Sequence, residues 1–309
     1  MEYIGELAAL STACLWALTS IFFTEAGKLI GSFFVNQVRL VFAVAIYLII
    51  SLVTTGQFFP TDINLTQFLW LSVSGVVGLV IGDTCGFKAF VMIGPRLATL
   101  VFSSTPIMTT VIAWVFLGEK LAFLDILGIC ITVGGITWVV SERKFRNVTK
   151  NNVHSSHPDA GGMAKGVMFA LLAGLGQASG LVLARQGMFN CGDTVAAFDA
   201  SFIRMTVSMV VIWLISGLRG QWPDTWRAMK NGRALLMSLG GAVGGPFLGV
   251  WMSLVALAYI ATGIAATLNS LTPVLVIPIV VLYYKEKVSA RAMLGAIVAV
   301  AGVALLFLT

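Results

Sequence analysis

Asp83 is the residue of this chain whose setting most demands a chemical explanation. It lies inside an apolar stretch, residues 68–90, where a carboxylate costs several kcal/mol unless it is paired or hydrated. An acid in such a place can carry a proton or hold a substrate amine. The plainer alternative is a structural ion pair with Arg39, which sits near the same membrane face because its own apolar stretch runs in the opposite direction. An Arg fork can also grip a carboxylate or phosphate with two parallel hydrogen bonds. Arg39 and Arg204 occupy matching places in two stretches, which favours snorkelling to headgroups for both. Lys88, five residues beyond Asp83, is about 140 degrees round a helix from it and reads as an interface anchor. Trp16, Gln177 and Trp251 are candidate walls and contacts of a small-molecule site. Pro106 and Pro273 fall in mid-stretch, so each is expected to kink its helix and free a carbonyl, at Phe102 and Asn269. Ser103, Asn269 and Ser270 beside those kinks complete the candidate substrate-binding set, and Pro246 is a third candidate break.

The elements that must position these residues follow from composition. Of 309 residues 58% are hydrophobic and 10% charged, with a mean hydropathy of +0.96; soluble domains carry roughly 25% charged residues. Apolar stretches of spanning length occur near 4–24, 33–53, 68–90, 96–116, 121–140, 166–187, 198–217, 234–256, 262–284 and 289–308. Backbone amides in lipid need partners within their own segment, and barrel-like alternation is absent, so the expected fold class is an all-α membrane protein with ten transmembrane helices. The polar stretch 141–162 separates a first unit, 1–140, from a second, 163–309.

The two units repeat. A shift of 167 residues lays Thr105-Pro106 on Thr272-Pro273, Glu119-Lys120 on Glu286-Lys287, Gly128 on Gly295 and Gly135 on Gly302. It also lays Ser74, Gly78, Gly82 and Gly86 on Gly241, Gly245, Gly249 and Ser253, a small-residue stripe that lets helices approach closely. Shifts of 161 and 165 relate Trp16 to Gln177 and Arg39 to Arg204. Asp83 answers to Val250. Because five spans per unit is odd, the second unit must enter the bilayer upside down, giving the inverted-topology repeat typical of secondary transporters. Of the Lys and Arg residues, all but Lys120, Arg185 and Arg204 fall on the face of the odd-numbered loops. The positive-inside rule therefore places linker 141–162 in the cytoplasm and both termini outside.

Other chemistry lacks support. A net charge of +6 reads as topology rather than nucleic-acid binding. Cys14, Cys85 and Cys130 lie in apolar runs and Cys191 in a loop, without a CxxC pair, so they read as small core residues. His154 and His157 make a poor metal site. With no phosphate loop and no embedded catalytic set, neither an enzyme nor a cofactor is expected. The first apolar run follows Met1-Glu2-Tyr3 and lacks a cleavable leader's basic start, so it is expected to remain in the mature chain.

Gly5-Glu6-Leu7-Ala8-Ala9-Leu10 with Leu15-Trp16-Ala17, the run from Pro106 to Phe116-Leu117-Gly118-Glu119, and the copy from Pro273 to Lys285-Glu286 resemble the EamA family of the drug/metabolite transporter superfamily. The second copy departs from the first in reading Tyr284-Lys285-Glu286. Several relatives keep both termini in the cytoplasm, opposite to the charge count here. The resemblance implies a bacterial inner-membrane exporter of an amino-acid-like or drug-like metabolite, working by alternating access. The expected partners are that small molecule, the lipid bilayer and a coupling proton, with a monomer sufficient and a dimer compatible. A lipid translocase, or a non-transporting sensor or assembly partner of the same fold, is the alternative.

Overall fold

A computed structural model of the chain describes residues 3–102, 104–141, 160–272, 274–275 and 290–306. Helix α1, Ile4–Ile30, meets α2, Ser32–Thr54, through the single residue Gly31. The φ of 84° at Gly31 suits glycine, and its N–H closes α1 on Gly27 O at 2.9 Å. Helix α3, Leu65–Gly75, runs without interruption into a π-helix, Val76–Gly82, and then into α4, Asp83–Phe102. Helices α5, Thr105–Leu117, and α6, Phe123–Ser141, complete the first unit. The second unit holds α7, Ala160–Phe189; α8, Ala197–Leu218; the short α9, Trp222–Met229; α10, Gly232–Ala242; a second π-helix, Val243–Gly249; α11, Val250–Leu257; α12, Thr262–Asn269; and α13, Ala290–Leu306. No strand occurs among the described residues.

The 167-residue shift seen in sequence holds residue by residue in space. It carries the first π-helix onto the second and the start of α4 onto the start of α11. The N-cap of α3, Asn64, falls on that of α10, Asn231. Each cap accepts the backbone N–H three residues on, Gln67 at 2.9 Å and Ala234 at 3.1 Å. Helices of one unit pack on the other: α7 lies along α3, the first π-helix and α4, while α1 lies along α10, the second π-helix and α11.

Equivalent helices meet antiparallel. In α6 and α13, Gly128 lies against Gly302 and Leu306, whereas Gly135 lies against Gly295 and Ala299. In α2 and α8, Phe33 meets Arg219 and Tyr47 meets Phe198 and Phe202.

Among the described residues five helical segments are long and apolar enough to cross a membrane: Ser32–Thr54, Leu65–Ala89, Gly162–Phe189, Ala197–Leu218 and Gly232–Leu257. Shorter apolar helices cover Ile4–Thr19, Thr105–Leu117, Phe123–Trp138 and Met293–Leu306. Large apolar side chains such as Val53, Leu218, Leu236 and Ile297 stand on the outer surface, as a protein solvated by acyl chains permits.

Several sequence expectations need correction. The loop expected at 91–95 is helical backbone, and the break comes later, after Phe102. Pro106 therefore does not kink a helix; it sits in the first turn of α5, where its missing N–H has no intrahelical partner to lose. Pro246 does not break its helix either. It lies inside the second π-helix, where Val250 N–H reaches back five residues to Gly245 O, and the continuous helix absorbs the proline by local widening. Cys14 and Cys130 are exposed on the outer surface rather than in the core. The segment 222–229, expected as loop, forms α9, with Trp222 and Trp226 exposed as on an interfacial helix. Ser103, Pro273 and most of the linker 141–162 lie outside the described residues.

Candidate binding site at the junction of the units

The site is assembled where the first π-helix gives way to α4. Glycines make the approach possible. Gly176 and Gly180 of α7 lie so close to Gly82 and Gly78 that a Cβ on either would come within 2.9 Å of a Cα. Ser74 Oγ bonds Gly180 O at 2.7 Å across the same contact. This brings Gln177, between those glycines, to the end of the π-helix. At that end the backbone is in π register, Asp83 N–H bonding Gly78 O. The extra residue in the turn turns Asp83 toward α2 and α7 together.

The Asp83 carboxylate joins the two units. Its Oδ2 takes the Nη2 of Arg39 in an ion pair, and its Oδ1 accepts from Gln177 Nε2 at 2.5 Å. Arg39 Nε donates to Asn36 Oδ1 at 2.8 Å. Asn36 Nδ2 in turn donates to the π-helix carbonyl of Leu79 at 3.3 Å and to Thr84 Oγ1 at 3.4 Å. Two aromatic rings clamp the guanidinium, Phe23 at 5.5 Å and Phe87 at 5.3 Å from ring centre to Cζ. The snorkelling expectation is thus overturned for Arg39, which is 8% exposed, and for Arg204, which is 4% exposed. Each is the eighth residue of its helix, about 10 Å of rise from the end. Protein rather than headgroup surrounds both.

The remaining candidates lie elsewhere. Trp16 packs against Gly249 at the end of the second π-helix, and Trp251 packs on Phe198 at 5.5 Å and Phe247 at 5.9 Å. Both belong to an aromatic cluster around Tyr47, whose hydroxyl donates to Phe247 O at 3.0 Å. Ser270 Oγ is used by its own helix, on Ala266 O at 2.8 Å. The Asn269 carbonyl accepts from Thr272 Oγ1 at 3.0 Å, while the buried Asn269 Oδ1 has no partner. Lys88 is exposed with its ammonium 4.3 Å from the centre of the Phe169 ring.

Sequence reasoning missed Asn36, Phe23 and Thr84. The signal available for Asn36 was its place three residues before Arg39, on the same face of the helix. It also missed a second tie between units. Glu119, in the turn after α5, accepts from Thr262 N at 2.9 Å and Thr262 Oγ1 at 2.6 Å, capping α12. It also pairs with Arg185 Nε at 3.0 Å. A cavity of about 420 Å³ lies near the opposite ends of these helices, lined by residues including Phe33, Val80, Thr84, Phe87, Lys88 and Arg219. Thr84 and Phe87 are shared with the Asp83 cluster, so the cavity reaches it. Among the described residues no group of His, Cys, Asp and Glu could hold a metal ion.

Comparison with known proteins agrees with this architecture. Residues 3–141 and 164–308 each match the sequence model of the EamA-like transporter family. A protein of Clostridium kluyveri (strain ATCC 8527 / DSM 555 / NBRC 12016 / NCIMB 10680 / K1), described as an uncharacterized transporter, is 29% identical over 150 residues, 48% of either chain. The match spans about half the length of that relative. A crystal structure of another protein superposes with a TM-score of 0.74 at 16% identity, covering 100% of this chain and 98% of the other; that likeness establishes the fold alone. With both units matched over nearly their whole length, the chain belongs to the EamA-like transporter family of the drug/metabolite transporter superfamily.

Proposed function

We propose that this protein is a secondary transporter that exports a small metabolite by alternating access. In this reading ten spans form two inverted five-span units, 1–140 and 163–309, with linker 141–162 on the cytoplasmic side of a bacterial inner membrane. The observation that carries it is the Asp83 carboxylate, 15% exposed in side-chain terms, held by Arg39 of its own unit and Gln177 of the other. Protonation of that carboxylate weakens both contacts at once, so a proton arriving at Asp83 loosens the join about which the units rock. The carboxylate is the coupling group, and Arg39 and Gln177 are the partners it releases on protonation.

Two further features support the reading. On one side of the molecule Glu119, Arg185 and Thr262 tie the units together. On the other, the cavity of about 420 Å³ runs between them to the Asp83 cluster. A path closed at one end and entered from the other is one half of an alternating-access cycle. By the charge distribution, the cavity is on the cytoplasmic side, as an exporter loading its cargo requires.

The test is flux in proteoliposomes across a panel of labelled metabolites, with and without an imposed proton gradient. Wild type is expected to move at least one compound with gradient dependence, and Asp83→Asn is expected to abolish that dependence. Unchanged transport and unchanged gradient dependence in Asp83→Asn would remove Asp83 from the mechanism.

A further inference from the structure

Arg204 stands where the twofold relation puts a second Arg39, but every partner of Arg39 has been replaced around it. The shifts that relate the units take Asp83 to Val250, Asn36 to Ser201, Phe87 to Leu254, Phe23 to Ala184 and Gln177 to Trp16. The guanidinium is nevertheless 96% buried in residue terms, at 4% exposure. It makes no ion pair and no hydrogen bond among the described residues, and its Nε is a buried donor without an acceptor.

Arg204 is not alone in this. Ser208 Oγ, four residues after it, is also buried and unpartnered, and Ser201, three residues before it, turns its hydroxyl to Tyr47, so three polar groups share one face of α8. A buried hydroxyl in a helix normally bonds back to its own backbone, and these two do not. The facing wall is glycine: a Cβ on Gly75 would lie 2.8 Å from Ser208 Oγ, and one on Gly78 would lie 3.5 Å from Arg204 Nη2. Buried unpartnered groups of this kind are uncommon and call for an occupant.

We propose that Arg204, flanked by Ser201 and Ser208, receives a carboxylate of the transported molecule, which takes the place that Asp83 takes opposite Arg39. This rests on the transporter reading and names the chemical class of its cargo. Charge balance selects the carboxylate. Arg39 and Asp83 neutralise one another, so Arg204 leaves the centre one positive charge in excess. A carboxylate cancels it, whereas a phosphate monoester, carrying about −1.5 to −2, overshoots. Ile215, which lines the cavity of about 420 Å³, is eleven residues beyond Arg204 on the same helix face, about 16 Å away. Lys88 and Arg219 on that cavity's wall draw anions in.

The test restores the missing acid. In thermal melts of the purified full chain in detergent, Val250→Asp is expected to raise the midpoint by about 2–5 °C, and the gain is expected to vanish in an Arg204→Met background. Independently, wild type is melted with acetate, benzoate and 3-phenylpropionate and with their amides at equal ionic strength. At least one acid is expected to stabilise it where its amide does not, and Val250→Asp is expected to blunt that shift. The proposal is overturned if Val250→Asp changes the midpoint equally in both backgrounds, or if acids and amides act alike. Either result leaves the transporter reading standing, because proteoliposome flux of neutral or cationic compounds tests that separately. Absence of all flux sinks the transporter reading while the melts still report on Arg204.

Discussion

The two halves of the central site descend from one pattern and have been filled in opposite ways. In the first, Arg39 is held by Asp83, Asn36, Phe23 and Phe87, and Gln177 closes the carboxylate's second oxygen. In the second, the positions that match Arg39's partners hold Val250, Ser201, Ala184 and Leu254, and Trp16 stands in Gln177's place. The backbone is the same in both, down to the π register that ends at Asp83 in one unit and at Val250 in the other. What differs is satisfaction: one half is a closed polar network, the other holds a buried guanidinium nitrogen and a serine hydroxyl, those of Arg204 and Ser208, without partners. The fold supplies two equivalent sites, and side-chain substitution makes one a structural and coupling join while leaving the other available to a ligand.

The glycine stripes differ in the same way. The stripe of the first unit meets glycines of α7 backbone to backbone, while that of the second meets the side chains of Trp16, Thr19 and Phe23. One contact is rigid. The other is made of side chains that can turn.

The largest effect that would sharpen this contrast is expected at the closed half. Asp83→Asn strips the charge from a buried pair and should cost about 3–5 kcal/mol, read as a lowered denaturation midpoint. Val250→Asn, its twin, leaves no charge uncompensated and should cost clearly less. A cost at Val250→Asn as large as at Asp83→Asn would break the comparison.

Next come the stripes. Gly180→Ala places a methyl within 2.9 Å of Gly78 Cα and is expected to cost about 2–3 kcal/mol. Gly245→Ala meets the Phe23 ring at 3.1 Å, which can give way, and should cost under about 1 kcal/mol. Thermal melts of the two variants side by side check the order.

The two asparagine caps provide a smaller test. Asn64 and Asn231 cap equivalent helices, but Asn64 also forms a reciprocal capping box with Gln67 and donates to Cys191 O at 2.8 Å. Each alanine variant should cost about 1 kcal/mol, with Asn64→Ala the larger, as measured by amide hydrogen exchange in the first turns of α3 and α10. Smallest of all, Phe23→Leu keeps the volume beside Arg39 and removes one aromatic face. A loss of about 0.5–1 kcal/mol is expected, and the same substitution should leave the Val250→Asp gain at Arg204 untouched.

Much of this was legible in the chain. The 167-residue repeat relates the two small-residue stripes, because duplicated helices must keep the same small residues wherever they pack closely. Asking which polar residues lack a counterpart singled out Asp83 and Gln177, and these two residues touch. The sequence also paired Asp83 with Arg39 as one of its alternatives. It failed for Arg204, since shared placement with Arg39 suggested a shared and superficial role. It failed for Glu119 too, whose partners Arg185 and Thr262 are far away along the chain.

Composition and internal repetition determined that this is a helical protein for lipid, built twice, with an acid where an acid is costly. Those properties are additive along the chain: hydropathy sums over a segment, and a repeat is visible by alignment alone. Tertiary structure decided which buried charges are answered and which are left over. A register shift of one residue at a π-turn, or the loss of a partner on another helix, changes no local propensity, yet it determines whether a buried guanidinium nitrogen faces an acceptor or has none.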